Sequence, residues 1–236
     1  MKYLKLFENF EDIHRICREY GIENYTINSD GSIDVDDDVI ISIKYELGNN
    51  YLIEELTKLP LKFNHVSGGF DCSHHKLTSL EGAPKSTGGY FDCGGNQLTN
   101  LEGAPKSVGG YFDCHGNKLT SLEFAPQSVG DGFYCYENKL TTLLGAPQSV
   151  GGIFNCNSNK ILTFEGAPNH IGDYFNCYNN PIFNIWKLFK DYSKVELLND
   201  LDPIRDKDLL MDRFNTFLSM IGLDEVESVD GYNCIN

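Results

Sequence analysis

The chain has 236 residues and a net charge of −15, from 34 Asp and Glu against 19 Lys and Arg. That length allows one or two domains with a buried core, and the 41% apolar content suits one. So acidic a chain lacks the cations that displace counterions from a nucleic-acid backbone, which excludes direct nucleic-acid binding. No apolar run approaches the roughly 18 residues of a membrane helix.

The opening segment, Met1 to Phe10, is broken by Lys2, Lys5 and Glu8, so no secretory signal is expected. Residues 8–20 predict an amphipathic helix with Phe10, Ile13, Ile16, Cys17 and Tyr20 on one stripe, stopped by Gly21. Tyr25-Thr26-Ile27 and Ile33-Asp34-Val35 flank Asn28-Ser29-Asp30-Gly31, a hairpin signal. A third extended run follows from Val39 to Ile43. Residues 1–50 are therefore expected to form an α/β cap. Asp34, Asp36, Asp37 and Asp38 lack the glycine and terminal glutamate of a calcium loop and read as a charged turn.

The middle of the chain is periodic. Cys72, Cys93, Cys114, Cys135, Cys156 and Cys177 recur every 21 residues, the mark of a solenoid. Each unit carries Phe two residues before its cysteine, from Phe70 to Phe175. Asn follows three residues after it, from Asn96 to Asn180, with His75 in the first unit. Apolar residues follow at plus five (Leu77 to Ile182) and plus eight (Leu80 to Ile185). Phe-x-Cys puts two side chains on one face of a strand, so stacked units set Phe on Phe and Cys on Cys. The Asn column is expected to bond the backbone of adjacent turns, because buried backbone must be paired. Ala-Pro-x-Ser-Val-Gly-Gly is too short and too rich in Pro and Gly for a helix and reads as extended or turn-like. Leu56 and Leu59 match plus five and plus eight of a degenerate first repeat over residues 51–71, which places Tyr51 in the cysteine column. The solenoid then runs over 51–184. Equivalent positions on parallel strands are poorly placed for disulfides, so the cysteines are expected reduced and buried.

Tyr111-Phe112-Asp113-Cys114-His115-Gly116-Asn117-Lys118-Leu119-Thr120-Ser121-Leu122 resembles a leucine-rich repeat, x-L-x-L-x-x-N-x-L-x-x-L, of the short bacterial type. Phe112 and Cys114 take strand leucine positions. The chain is also similar, over nearly its whole length, to leucine-rich repeat proteins encoded by tailed phages of marine bacteria, on runs such as Asn117 to Leu122 and the Met1-to-Phe10 opening. The resemblance implies an α/β leucine-rich repeat solenoid, with a parallel β-sheet on the concave face and little helix on the convex face. It also implies a phage origin and residence in the cytoplasm of the host cell.

The C-terminal part, 185–236, predicts a helical cap. Ile185-Trp186-Lys187-Leu188-Phe189 is a helical pattern with Trp186 as anchor. A second helix is expected over about 204–222, started by Asp202-Pro203, carrying Leu210, Phe214, Phe217, Leu218 and Ile221, and stopped by Gly222. The tail 225–236 has no strong pattern beyond a short strand.

On a leucine-rich repeat the solvent-facing strand positions bind partners. The columns flanking Phe and Cys hold Asp71, Tyr90, Asp92, Tyr111, Asp113, His115, Tyr134, Tyr136, Asn155, Asn157, Tyr174, Asn176 and Tyr178. Tyr offers large contact area at low entropy cost. The expected activity is a non-enzymatic protein–protein interaction, by a monomer, with a host protein such as a defence factor. A structural or packaged component of the phage particle and an acidic nucleic-acid mimic stand as alternatives. No Cys-x-x-Cys, P-loop, Gly-x-Ser-x-Gly or His-Glu-x-x-His occurs, and the histidines share no zinc spacing with the cysteines. No catalytic residue, metal or cofactor is therefore expected.

Overall fold

The computed structural model describes residues 2–41 and 55–236. Its centre is a solenoid of 21-residue coils, each adding one two-residue strand to each of two parallel ladders. One ladder pairs the Phe strands in register, Phe70↔Phe91↔Phe112↔Phe133↔Phe154↔Phe175. The other pairs the Ser-Val segments, from Ser86–Thr87 through Ser149–Val150 to His170–Ile171. The Ser-Val part of the Ala-Pro-x-Ser-Val stretch is thus extended, one of the two readings its sequence allowed, and it forms a second sheet.

The stacking predicted from the period is present. The six Phe rings lie parallel to within 6–19°, with centroids 5.3–5.8 Å apart. The repeat cysteines are free and buried behind them. Three of their thiols, on Cys72, Cys93 and Cys156, donate to a carbonyl of the next coil.

The asparagines hold coil to coil. Each Nδ2 donates to the carbonyl of its own cysteine and, at 2.9–3.0 Å, to that of the preceding coil. Each Oδ1 accepts the N–H of a plus-five residue in the preceding coil at 2.9–3.0 Å. Leaving one such buried group unpaired costs about 1–3 kcal/mol, which explains why the column tolerates so little change. Among the described residues no buried side-chain nitrogen or oxygen lacks a partner.

His75 does the same work in the first unit. Its Nε2 lies 2.7 Å from the Ile41 carbonyl and its Nδ1 accepts from Leu56 N–H at 3.4 Å. Those partners require the proton on Nε2.

The cap is itself a coil. Ile33–Val35 pairs in parallel with Phe63–Val66, and Val39–Ile40 with Phe70–Asp71. That register puts Ile41 in the cysteine column, and its N–H bonds Asp71 O as Cys72 N–H bonds Asp92 O. The assignment of that column to Tyr51 falls outside the described residues, as do residues 42 and 43 of the third extended run. Fifteen residues separate Ile41 from Leu56 where five separate Cys72 from Leu77, so an insertion interrupts the first coil. The expected hairpin is present, Tyr25–Ile27 antiparallel to Ile33–Val35. Helix α1, Lys2–Tyr20, buries Ile13 and Cys17 and ends at Gly21 (φ 68). There Ile22 N–H reaches back to Cys17 O, a Schellman closure.

The C-terminal cap has three α-helices where two were expected. Helix α2 spans Phe183–Phe189, α3 Val195–Leu201 and α4 Met211–Met220. Asp202-Pro203 ends α3 and does not start α4. Asp202 sits in the left-handed region (φ 46), and Pro203 follows as it often does after a C-cap. Residues 204–210 form a hairpin, Ile204–Arg205 with Asp208–Leu210, joined by the tail strand Asn233–Ile235. Trp186 packs its ring on Phe175 and Phe164, sealing the last Phe of the stack. No helix among the described residues is long and apolar enough to cross a membrane.

Candidate functional site

The outer face of the Phe sheet carries three columns of side chains. In the central one, Asp71, Asp92, Asp113, Asn155 and Asn176 each turn a side-chain oxygen, Oδ1, onto the backbone N–H two residues on, at 2.8–3.2 Å. These are Asx turns, in which a short acceptor side chain closes the bend that leaves the strand. The Asp/Asn choice is thus partly a matter of backbone geometry. One oxygen of each side chain is used in this way. Tyr134, which cannot make the turn, is the exception.

Aromatic rings fill the flanking columns over glycines. A Cβ built on Gly69 would lie 2.2 Å from the Tyr90 ring, one on Gly94 2.3 Å from His115 Nδ1, and one on Gly132 2.6 Å from the Tyr134 ring. Glycine is needed beside these rings because each lies across a glycine position, of the neighbouring coil for Tyr90 and His115 and of its own strand for Tyr134. This pairing has a sequence signal, Gly set beside Tyr or His at the 21-residue spacing or within one strand, and sequence reading missed it.

The result is a band of two ring groups. Tyr90 stacks on Tyr111 at 5.0 Å, Tyr111 meets Tyr134 edge-on at 6.0 Å, and His115 stacks on Tyr136 at 4.6 Å. Asn155, Asn157 and Asn176 extend it, half-buried, toward Tyr174 and Tyr178, which are 52% and 63% exposed. All thirteen predicted positions lie on this face, but Tyr174 and Tyr178 stand apart from the stacked rings.

Charge concentrates at one end. Asp71, Asp92 and Asp113 pair directly across strands. Among the described residues no Lys or Arg pairs with any of them. Burial first, then the repulsion of Asp113 and Asp71, pushes the Asp92 carboxyl up to about 6. Asp113 instead bonds His115, Oδ1 to Nδ1 at 2.8 Å, and that bond raises the imidazole above its ordinary value. Burial, reinforced by the nearby carboxylates, pushes the Tyr111 hydroxyl up to about 12 and raises Tyr90, Tyr134 and Tyr136. These phenols stay neutral donors. Burial also pushes every repeat thiol up, which removes the thiolate a nucleophile needs.

Chemically, the face offers flat aromatic area, phenolic donors and a carboxylate end with two imidazoles, His115 and the exposed His74, edge-on at 5.9 Å. Comparison of the chain with protein-family models, with curated proteins and with solved structures returns no match.

Proposed function

We propose that the chain is a non-enzymatic interaction module that binds a protein partner on the outer face of its Phe sheet. The observation that carries this is the pair of ring groups, Tyr90 with Tyr111 and Tyr134, and His115 with Tyr136, held by ring contacts on a backbone that repeats. Rigid aromatics bury large area with little side-chain entropy lost. The carboxylate end favours a partner with a basic patch opposite Asp71 and Asp92, which orients it along the solenoid. The fold type we assign is a leucine-rich repeat variant with a strand in place of the convex turn. The resemblance of the repeat to those of phage-encoded proteins supports a partner from the host bacterium, met in its cytoplasm.

The test is a pulldown from host lysate with the wild type against Tyr90→Ala/Tyr111→Ala/Tyr136→Ala. Loss of specific partners by the triple variant, with far-UV circular dichroism unchanged, is expected. Retention of every partner refutes the assignment of the binding face.

A further inference from the structure

The repeat breaks its own pattern at one place on this face. Only in the coil of Cys114 does a histidine follow the cysteine, and there it stands beside an Asp that lies directly across from the Asp of the coil before. One ligand atom each from Asp92, Asp113 and His115 lie within 4.8 Å of one another, the sole such group among the described residues.

We propose that Asp92, Asp113 and His115 form a binding site for a first-row divalent metal ion, Zn2+ foremost. The geometry meets the needs of such an ion. Zn–N and Zn–O distances of about 2.0–2.2 Å set two ligands of one tetrahedral ion roughly 3.3–3.6 Å apart. His115 Nδ1 stands 2.8 Å from the Asp113 carboxylate at Oδ1, so a small turn of ring and carboxylate brings Nδ1 and Oδ2 around one ion. The pair Asp92↔Asp113 is spaced by the strand repeat of about 4.8 Å, close enough for both carboxylates to reach one cation.

The ligands are also held from behind, as working ligands are. Gly94 N–H fixes the Asp92 carboxylate at 2.8 Å and His115 N–H fixes Asp113 at 2.9 Å, each through Oδ1, which leaves Oδ2 to ligate. Tyr136 stacks under the imidazole and sets its plane. Gly94 is the residue that lets the ring lie here, since its Cβ would fall 2.3 Å from Nδ1 and 3.2 Å from Asp92 Oδ1. Side chains of Asp113 and His115 are only 14% and 18% exposed, so a bound ion exchanges few ligands with water.

Charge and ligand type choose the metal. Two carboxylates and a neutral imidazole balance a dication. An imidazole with carboxylates suits Zn2+ and its neighbours over Ca2+ or Mg2+, which take oxygen alone. On binding, the ion takes Nδ1 and the ring keeps one proton, on Nε2, so an imidazolium releases its Nδ1 proton to solvent and a neutral ring carries its proton on Nε2 instead. Three protein ligands leave a fourth position open toward solvent. No spacing motif announced the site because its ligands come from adjacent coils, 21 and 23 residues apart.

The test uses the repeat's own alternatives. Asp92→Asn places there the residue that Asn155 and Asn176 supply in later coils, and His115→Asn copies Asn157. Both keep the Asx turns. Isothermal titration of the metal-free chain with Zn2+ should show one saturable site. Each variant should weaken it at least about tenfold, the lower end of what even supporting residues contribute. Co2+ titration should give visible d–d bands in the wild type that the double variant lacks. His170→Asn, on the other sheet, should leave both readings unchanged. No saturable Zn2+ binding by the wild type overturns the proposal, and so does affinity undiminished in Asp92→Asn/His115→Asn.

Discussion

Replacing Gly130 with Ala tests how the coils are packed. A Cβ there would lie 1.9 Å from the carbonyl oxygen of Gly109, one coil back. The same approach recurs down the column, at 2.1 Å for Gly88 on Ser67 O, 2.0 Å for Gly109 on Gly88 O and 2.1 Å for Gly151 on Gly130 O. Real Cβ contacts essentially never fall below 3.0 Å, so the corner must open by about 1 Å. The atom struck is backbone in a ladder and cannot rotate away. Two coil-to-coil bonds flank the site, Gly130 N–H to Val108 O and Asp131 N–H to Gly110 O, each already 3.2 Å long. Stretched by 1 Å they cease to be hydrogen bonds. At about 1 kcal/mol each, with residual overpacking added, the loss is about 2–3 kcal/mol. For a chain this size that lowers Tm by roughly 5–10 °C. Gly116→Ala is the control. Gly116 has φ 60, but its nearest neighbour would be 3.5 Å away, and other coils hold His74, Glu137, Ser158 and Asn179 at the same place with φ 54–56. Its cost is backbone strain alone, about 1 kcal/mol. Thermal unfolding followed by circular dichroism compares the two. A Gly130→Ala chain within about 0.5 kcal/mol of wild type, or one less affected than Gly116→Ala, refutes the argument from space.

Two further substitutions read other terms. Asp92 titrates near 6 in the fold against an ordinary 3.8, so the folded state binds the extra proton between those values. Stability is then greatest below 3.8, declines as pH rises and has lost this contribution above 6. Asp92→Asn, assayed with EDTA, should be more stable than wild type at pH 7 by about 1–2 kcal/mol, a shift of some two units discounted for partial solvent screening, and equal to it near pH 3.5. An identical gap at both pH values would show that repulsion is not its source. Phe124 occupies a place that Gly82, Gly103, Gly145 and Gly166 fill in other coils, with φ 72 and 54% exposure. Phe124→Gly should raise stability in urea by about 1 kcal/mol, strain relief outweighing the freedom Gly adds to the unfolded chain. A lower urea midpoint would mean that the ring's contacts outweigh the strain.

The period was legible because it repeats. Phe70 to Phe175 and Asn96 to Asn180 each announce a column six or five times over, and one physical role suffices for each. Elements that are very short or occur once were less legible. Ser107–Val108 has two residues, too few for alternation to signal a strand, and only pairing with Ser86–Thr87 and Ser128–Val129 makes it one. Ile41 was hidden by the insertion before Leu56, which shifts the register on which column reading depends. Helix α3 carries the stripe Val195, Leu198 and Leu201 but is only seven residues long, and Asp202 ends it with a left-handed residue that is not glycine. On the candidate face the residue types were legible and their couplings were not. That Tyr90 lies over Gly69, or His115 over Gly94, shows only when residues 21 apart are read against each other, and reading each column for residue type alone misses it.

Repetition also separates structure from chemistry on this surface. Where all coils agree, as at the asparagine ladder, a residue answers to its neighbours above and below, and change there costs folding. Where coils differ, the backbone has already been satisfied and the side chain is free to serve something else. The central column shows both at once. Asp and Asn make the same Asx turn, so the turn cannot explain why Asp occupies 71, 92 and 113 while Asn occupies 155 and 176. Charge is the remaining difference, and it carries a cost, since Asp92 lies between like charges and, among the described residues, no Lys or Arg pairs with it. A neutral isostere would remove that cost, so carboxylates at this place support the proposed cation, whether a metal ion at His115 or the basic side chain of a partner.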